Sequence, residues 1–382
     1  MIKERENMKL ELIATATFGL EAVVKRELEA LGYRILKSED AKITFLGDEA
    51  AVVRANLWLR SADRVLLKMG EFTACEFEEL FQQTKALPWE QWIPLDGKFT
   101  VNATSVKSKL HSVPACQSIV KKAVVEKLRE TYQVDAFAET GAEYTIKATL
   151  LKDRVTLTID TTGPGLHKRG YRVCEVAAPI KETLAAAMVQ LSFWRPGRLL
   201  ADPCCGSGTI AIEAAMIARN IAPGLSRRFA SEEWDAVPRE LWKRERKAAF
   251  DAIDQEAEIR ILASDIDAAA VAAAEENAAE AGVDDCIEFS VMDVEALQAP
   301  APAGIILTNP PYGERIGEQA QIEKIYDKYR RFFKENPTWS LFMVTTDKEA
   351  EAKTLERPAD RRRKLYNGRL EVCYNQFHGK KE

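Results

Sequence analysis

The sequence predicts two folded parts: an α+β part up to about residue 160, and an α/β part with a parallel sheet after it. Two observations support the second part. From residue 199 onward, apolar runs alternate with helical stretches at the spacing of βα units, which is typical of a parallel sheet. The chain then closes with two apolar runs joined by Asn367-Gly368, a strong signal for a β-hairpin. We therefore expect a parallel sheet that ends in an antiparallel hairpin.

The first βα unit carries a glycine-rich turn. The run Leu199–Ala201 is expected to form a strand, Asp202–Thr209 the turn, and Ile210–Ala218 a helix. Gly206 and Gly208 allow the backbone to turn tightly and to approach a ligand closely, and the first N–H groups of the helix are free to bind it. The sequence therefore predicts a ligand site at this turn.

Two ligand classes fit a glycine turn of this kind. With Ala211, the glycines match the fingerprint of dinucleotide-binding folds, so an NAD-dependent oxidoreductase is one alternative. The next acid at a strand end, Asp265, lies far beyond the roughly 20 residues usual for that fingerprint. The Asp202 carboxylate would repel a pyrophosphate but attract the ammonium of an amino-acid ligand. S-adenosylmethionine carries an ammonium and no phosphate, so we favour it as the cofactor.

Two further units end in acidic residues. Arg260–Asp265 is expected to be a strand followed by the helix Ala268–Ala281, and Ile287–Val291 a strand with Asp293 just beyond its tip. The C-terminal ends of parallel strands meet at one edge, where open α/β sheets bind ligands. We therefore expect Asp265 to accept hydrogen bonds from ribose hydroxyls and Asp293 to reach an adenine amino group.

The tetrapeptide Asn309-Pro310-Pro311-Tyr312 follows the expected strand Gly304–Thr308. The Asn309 amide oxygen and the Pro310 carbonyl can accept both N–H bonds of an exocyclic amine and aim its lone pair at a methyl donor. Pro310 and Pro311 restrict the backbone that presents these acceptors, and Tyr312 offers a ring for stacking on a flipped base. The motif predicts methylation of a nucleobase amine, and it serves guanine N2 and adenine N6 equally.

Composition excludes several other classes. The chain has 382 residues, of which 46% are hydrophobic, and no stretch approaches the roughly 20 apolar residues of a membrane span. The N-terminus lacks the apolar core of a signal peptide, so we expect a cytoplasmic protein. Seven cysteines without a CxxC pair, together with only three histidines, predict neither a disulfide framework nor a metal site.

The net charge of −5 argues against a protein that coats nucleic acid indiscriminately. Any RNA must therefore be held by local basic patches, including the runs Arg227-Arg228, Lys243–Lys247 and Arg361–Lys364. The candidates chosen for RNA contact are Lys107, Lys109, Lys121, Lys122, Lys168, Arg169 and Arg172.

The first part of the chain has no catalytic constellation. Leu10–Thr15 is expected to be a strand, Leu20–Leu31 an amphipathic helix stopped by Gly32, and Ile119–Glu130 a second helix. The turn-rich stretch Thr161–Gly165 forms a natural boundary. We expect this part to recognise the substrate.

On these motifs the chain resembles the bacterial THUMP-domain class I RNA methyltransferases, and most closely the group that methylates guanine N2 in 23S ribosomal RNA. The segments that carry the resemblance are Asp202–Thr209, Ser264–Asp267, Asn309–Gly313, Leu166–Arg172, Ala178–Leu184 and Ser108–Ser112 with the helix from Gln117.

The resemblance implies three parts: a ferredoxin-like part over 1–65, an RNA-binding THUMP domain over 45–158 with an overlapping boundary, and a methyltransferase domain over 165–382 with an insert near 221–258. The last is a Rossmann-like seven-stranded sheet with a C-terminal antiparallel hairpin. The residues matched to S-adenosylmethionine binding are Asp202, Cys204, Gly206, Gly208, Thr209, Asp265 and Asp293.

The predicted function is therefore S-adenosylmethionine-dependent methylation of guanine N2 in structured RNA, either ribosomal RNA or an assembly intermediate. An N6-adenine methyltransferase acting on RNA or DNA is the nearest alternative. A non-catalytic RNA-binding factor for ribosome assembly is an alternative of another class. The target nucleotide, the assembly stage and the oligomeric state do not follow from the sequence.

Overall fold

The computed structural model describes residues 9–174, 179–312 and 318–380. The chain divides into two compact units. Unit 1 contains the chain up to Thr15, Lys25–Leu166 and Arg228–Ala248; unit 2 contains Ala16–Val24, His167–Arg227 and the chain from Ala249 onward. Each unit thus includes a short segment whose sequence neighbours belong to the other unit.

Unit 1 contains a mixed sheet, and the order of its described strands is β2-β3-β1-β4-β7-β6-β5. The pairs β2–β3, β3–β1, β4–β7 and β7–β6 are antiparallel, whereas β5 and β6 are parallel. Its strands are β1 (Leu10–Ala16), β2 (Arg34–Glu39), β3 (Lys42–Gly47), β4 (Ala62–Thr73), β5 (Lys98–Val106), β6 (Glu143–Leu151) and β7 (Arg154–Asp160).

The helices of this part are α1 (Glu21–Ala30), which begins in unit 2, α2 (Glu49–Trp58), α3 (Phe77–Lys85) and α4 (Val113–Tyr132). Helix α4 begins six residues earlier than the predicted helix Ile119–Glu130. Pro114 lies in its first turn, where a missing N–H costs no helical hydrogen bond, so the proline is compatible with a longer helix.

Unit 2 contains the predicted parallel sheet with its antiparallel hairpin, in the order β10-β9-β8-β11-β12-β14-β13 among the described strands. The strands are β8 (Leu200–Asp202), β9 (Ile261–Asp265), β10 (Ile287–Val291), β11 (Ile305–Thr308), β12 (Ser340–Thr345), β13 (Arg361–Asn367) and β14 (Leu370–Phe377). The helices of unit 2 are α5 (Glu182–Leu191), α6 (Thr209–Ala218), α8 (Ala268–Glu280), α9 (Glu318–Glu335) and α10 (Ala350–Leu355). Helix α7 (Arg239–Asp251) begins in unit 1, and only its last residues, from Ala249, belong to unit 2.

Close packing positions the central strands of this sheet. Tyr326 and Tyr329 of α9 are fully buried in one cluster with Ile306, Leu341 and the Trp339 ring. Gly304 immediately precedes β11, and an added Cβ there would lie 2.6 Å from that ring. The tight contact holds β11, and so the residues that follow it, against the aromatic core.

The insert differs from its expected place in the methyltransferase domain, because Arg228–Ala248 belongs to unit 1. The Trp234 ring stacks on Tyr144 at a centroid distance of 4.8 Å, and the Ser231 hydroxyl donates to the Thr161 carbonyl at 2.8 Å. Arg54 of α2 pairs with the buried Glu245 of α7 at 2.6 Å. Local sequence periodicity identifies a helix but not the sheet on which it packs, which explains the difference.

No helix among the described residues is both long enough and apolar enough to cross a membrane. Among those same residues, no group of three or more histidine, cysteine, aspartate or glutamate side chains could bind a metal ion.

Candidate functional site

Four neighbouring parallel strands bring the predicted polar residues to one edge of the unit 2 sheet. Asp202 of β8 pairs in register with Ala263 of β9, and Asp265 pairs with Val291 of β10. Strand β11 runs parallel to β8 on the other side. The strand ends that carry Asp202, Asp265 and Asn309, and the residue Asp293 just beyond β10, therefore share the C-terminal edge of the sheet.

The glycine turn is held by backbone hydrogen bonds and by Asp265. The Gly206 N–H donates to Asp265 Oδ2 at 2.9 Å, and the Asp267 N–H donates to Oδ1 at 3.1 Å. The Cys205 N–H donates to the Ser264 carbonyl at 2.9 Å. An ionised carboxylate can accept about four hydrogen bonds, so Asp265 can hold the loop and still accept from a ligand.

Gly208 packs against helix α8. Its φ is +79°, and an added Cβ would lie 2.9 Å from Ala274 Cβ. Gly208→Ala is therefore expected to destabilise unit 2 and to weaken cofactor binding by about tenfold or more, because both the backbone and α8 must shift. Gly282 provides the control, since its φ is +67° but nothing lies within 4 Å of an added Cβ.

Thermal unfolding and calorimetric titration with S-adenosylmethionine would compare Gly208→Ala with Gly282→Ala. The second variant has the backbone strain without the close contact, so it should bind the cofactor normally. Equal binding defects in both variants would contradict a specific role for the close approach at Gly208.

Asp202 is a buried carboxyl group, with 1% of its surface exposed. Burial raises its pKa to about 7, and the nearby Asp265 carboxylate acts in the same direction. The Thr308 hydroxyl and the Cys204 N–H, which donates to Asp202 Oδ1 at 3.3 Å, lower the pKa but do not offset burial. The site therefore contains a carboxyl group that becomes fully ionised at neutral pH only when a cation binds beside it.

The remaining residues of the predicted cofactor set differ in exposure. Asp293 is exposed, and its Oδ1 accepts the Glu295 N–H at 2.9 Å. The hydroxyl of the buried Thr209 accepts from Arg172 at 3.0 Å. Burial raises the pKa of the Cys204 and Cys205 thiols well above the ordinary range. Both thiols are therefore protonated at neutral pH, which does not favour a nucleophilic role.

The predicted catalytic motif lies next to these groups, at the end of β11. Asn309 and Pro311 are half-buried and Pro310 is buried. The Tyr312 hydroxyl donates to Asn309 Oδ1 at 2.6 Å, so the predicted acceptor for the substrate amine contacts the tyrosine in this structure. Gly313, the last residue of the matched motif, lies outside the described residues.

The structure contradicts two of the predicted RNA contacts. Arg169 is buried, with its Nε 3.2 Å and its Nη2 3.3 Å from the two carboxylate oxygens of Glu213. Arg172 donates to Glu182 at 2.8 Å and to Ser207 at 3.1 Å as well as to Thr209. Both guanidinium groups bind protein carboxylates, so they position the glycine turn and helix α6 rather than RNA phosphates.

Glu182 and Glu213 are the residues that the sequence interpretation missed. Each is almost fully buried in an apolar helix. A carboxylate that is buried in an apolar helix requires a cation beside it. The single acid Glu213 within the apolar run Thr209–Ala218 could therefore have predicted a buried arginine or lysine partner. The lysine candidates lie on the surface instead: Lys107, Lys109, Lys121, Lys122 and Lys168 are all exposed.

Replacing Arg169 by methionine is expected to destabilise the protein by about 3–5 kcal/mol, because it leaves the Glu213 carboxylate buried without its cation. Thermal unfolding would measure the change. Combining Arg169→Met with Glu213→Leu should recover much of the loss, since the uncompensated charge is gone. A lower RNA affinity in a normally stable Arg169→Met variant would instead favour the original prediction.

Comparison with known proteins identifies the family of this chain. Residues 169–376 match the family described as the RMKL-like methyltransferase domain. The chain belongs to the RMKL-like methyltransferases. Residues 11–66 of this RMKL-like methyltransferase match the RlmL ferredoxin-like domain, and residues 74–160 match the THUMP domain. The predicted family resemblance is thereby confirmed.

Two relatives extend over almost the whole of this RMKL-like chain. The candidate RNA methyltransferase YpsC of Bacillus subtilis is 48% identical over 97% of this chain and 97% of its own. The ribosomal RNA large subunit methyltransferase K/L of Shewanella baltica is 34% identical over 96% of this chain. The chain spans about half the length of the K/L relative, 52%.

Two solved structures have the same fold as this RMKL-like methyltransferase. A protein from Listeria monocytogenes, described as a predicted N6-adenine-specific DNA methylase, is 46% identical with a TM-score of 0.93, and the match covers 98% of this chain and 97% of that one. The candidate methyltransferase SMU.472, solved in complex with S-adenosylhomocysteine, is 43% identical with a TM-score of 0.92, and the match covers 98% of this chain and 100% of that one. The predicted fold and the predicted cofactor, S-adenosylmethionine, are confirmed at the level of this family.

Proposed function

We propose that this protein transfers a methyl group from S-adenosylmethionine to the N2 amino group of a guanine in large-subunit ribosomal RNA. The observation that carries the proposal is the position of Asn309–Tyr312 at the same sheet edge as Asp202, Asp265 and the glycine turn. The names of the relatives support RNA as the substrate, and the THUMP match supports an RNA-binding module in the first part of the chain.

The residues at the sheet edge fit S-adenosylmethionine. The buried Asp202 carboxyl group would bind the ammonium of the methionine moiety, because that cation compensates its burial. Asp265 retains acceptor capacity for ribose hydroxyls, and the exposed Asp293 is available to an adenine amino group. Gly206 and Gly208 allow the backbone to approach the ligand. When bound, S-adenosylmethionine supplies an electrophilic methyl group.

Asn309 and Pro310 would orient the substrate amine. Its lone pair is delocalised into the base ring, so the amine is a poor nucleophile on its own. Two accepted N–H bonds, at Asn309 Oδ1 and at the Pro310 carbonyl, bias the nitrogen towards tetrahedral geometry and direct the lone pair outward. The Tyr312 hydroxyl donates to Asn309 Oδ1 in this structure. On substrate binding, the amine would replace the hydroxyl as the donor to Oδ1, and the Tyr312 ring would stack on the flipped base. The nitrogen loses its proton after it has become cationic, so no strong base is required.

Adenine N6 is the second candidate target. The same acceptors suit any exocyclic amine, and the Listeria protein is described as an adenine methylase. The K/L relatives and the group that the sequence resembles favour ribosomal RNA and guanine. A non-catalytic assembly factor fits less well, because the acids, the glycine turn and the Asn309 motif are all retained.

Nucleoside mass spectrometry would test the proposal. Ribosomal and transfer RNA from cells that lack the gene would be incubated with the purified protein and isotopically labelled S-adenosylmethionine. Labelled N2-methylguanosine in 23S RNA is the expected product. Labelled N6-methyladenosine would show that the target is adenine, with the same mechanism of amine methylation. The absence of label in both RNAs would contradict the proposal. A catalytically impaired Asn309→Ala protein serves as the control.

A further inference from the structure

The C-terminal hairpin and the segment Ala16–Val24 form a surface with aromatic rings and positive charge in unit 2. The Phe18 ring is 47% exposed and lies edge-on to Tyr366, with 6.2 Å between ring centroids. Lys364 Nζ lies 5.6 Å from the centre of the Tyr366 ring. Arg369 in the hairpin turn is exposed. We call Phe18, Lys364, Tyr366 and Arg369 the hairpin surface.

Backbone packing holds Phe18 in this position. Gly19 has a φ of +91°, and an added Cβ would lie 2.6 Å from the Lys364 carbonyl oxygen. Only glycine allows this approach, so the loop with Phe18 is seated tightly against β13. An exposed phenylalanine held on a rigid support presents a ring face without a large loss of side-chain entropy on binding.

The charge around the rings suits a polyanion, although the whole chain carries a net charge of −5. Arg361, Arg362 and Arg369 are exposed, and in the described part of the chain no carboxylate pairs with any of them. Lys364 pairs with Glu371 at 2.6 Å, and Glu21 accepts the Gly19 N–H nearby. Positive charge therefore exceeds negative charge along this edge strand.

The strand register places the hairpin surface near the catalytic motif. Thr308 pairs with Met343, Met343 with Asn375, and Asn375 with Arg362, so Arg362 lies level with the end of β11. Tyr366 lies four residues farther along β13, which runs in the same direction as β11. By strand geometry, Tyr366 is about 10 Å beyond the level of Asn309 and about 14 Å to its side. A few nucleotides of single-stranded RNA can span that distance.

We propose that the hairpin surface binds single-stranded RNA flanking the target nucleotide, with a base stacked on Phe18 and phosphates near Arg369. Aromatic rings with adjacent cations are the usual platform for unpaired bases, and every base has a face to stack. Flipping a base out of its stack also leaves its neighbours unpaired, so a second holding point fixes the strand while Asn309 positions the amine. The inference rests on the proposed function for its link to catalysis.

Binding and kinetics with the full chain would test the surface. Phe18→Ala is expected to weaken binding of a short, fluorescently labelled, single-stranded RNA of mixed sequence by about tenfold. With ribosomal RNA from cells that lack the gene, KM should rise while kcat and the affinity for S-adenosylmethionine stay unchanged. Phe250→Ala is the matched control, because Phe250 is a 68% exposed phenylalanine of unit 2 that belongs to neither the hairpin nor the segment Ala16–Val24. Equal RNA affinity in the two variants would overturn the inference.

Two further variants and a crosslinking experiment test the surface even if Phe18→Ala fails to fold. Phe18→Leu retains an apolar side chain without a ring, and Arg369→Ala removes only a surface charge, so both variants should fold. Both variants should bind RNA more weakly, and RNA binding by Arg369→Ala should also depend less on salt concentration. Photo-crosslinking of the unaltered protein to RNA that contains 4-thiouridine should label peptides with Phe18 or Tyr366.

The outcomes separate this inference from the proposed function. If N2-methylguanosine forms, but no crosslink reaches the hairpin surface and KM is unchanged in Phe18→Ala, the surface is wrong and the function stands. If no RNA is methylated, but the crosslinks and the binding loss occur, the surface binds RNA and the proposed function is wrong.

Discussion

Replacing Asn309 by alanine should lower the rate of methyl transfer by about a thousandfold while S-adenosylmethionine binding stays within about twofold of the original. The amide oxygen would accept an N–H bond that strengthens as the amine becomes cationic, so its loss acts on the transition state. Asn309 follows β11, and its oxygen contacts Tyr312 rather than the glycine turn. Single-turnover kinetics and calorimetry would measure the two quantities. A large loss of cofactor affinity would contradict this role.

Tyr312 supplies a matched pair of controls for this result. Tyr312→Phe removes the hydroxyl that donates to Asn309 and keeps the ring, so activity should change by only about threefold. Tyr312→Ala removes the ring as well, and the loss of stacking on the base should cost about tenfold to a hundredfold in kcat/KM. A Tyr312→Phe variant as inactive as Asn309→Ala would show that the hydroxyl, not the ring, is the essential group.

Replacing Asp202 by asparagine should weaken S-adenosylmethionine binding by about a hundredfold, because a buried cation then loses its carboxylate partner. The affinity of the unaltered protein should also depend on pH. Burial raises the Asp202 pKa to about 7 without ligand, whereas an adjacent ammonium favours the ionised form. Binding therefore releases a proton below that pKa, and affinity should fall by about tenfold per pH unit below about pH 7. Calorimetry across pH would show this slope, and Asp202→Asn should lack it.

The same substitution should have the opposite effect on stability when no cofactor is present. The Asp202 pKa is higher in the folded protein than its ordinary value of 3.8, so the folded state keeps a proton that the unfolded state releases. Stability contributed by this group is fully present near pH 4 and is lost as pH rises through about 7. Asp202→Asn should therefore raise the melting temperature at pH 8 but not at pH 4. Asp293→Asn, at an exposed position on the same edge, should change the melting temperature little at either pH.

The sheet and its functional edge could be predicted because they depend on local pattern. Asp265 and Asn309 each follow a short apolar run, and the ends of parallel strands must meet at one edge. The roles of Arg169 and Arg172 could not be predicted in this way. A basic residue in a polar run is usually solvated, and only the tertiary fold brings Glu213 and Glu182 beside these two guanidinium groups.

The place of the insert was also beyond local pattern. Its charged helix α7 is amphipathic, which predicts that one face is buried but not against which sheet. Trp234 and Trp242 could have indicated that the insert is packed, since two tryptophans in a polar insert imply a buried interface. In the structure, Trp234 stacks on Tyr144 and Trp242 stacks on Phe229, and all four residues belong to unit 1. Likewise, nothing in the run Ala16–Val24 marks it as part of unit 2.

The exchange of segments between the units has a consequence for the order of folding during synthesis. The segment Arg228–Ala248 completes unit 1, because its Trp234 stacks on Tyr144 and its Glu245 pairs with Arg54. Unit 1 is therefore incomplete until the ribosome has produced Ala248. Unit 2, in turn, needs a stretch made almost at the start, since Gly19 packs on Lys364. Neither half of the reading frame therefore encodes a complete folding unit, and cleavage of the chain near residue 165 would give two incomplete fragments rather than two domains.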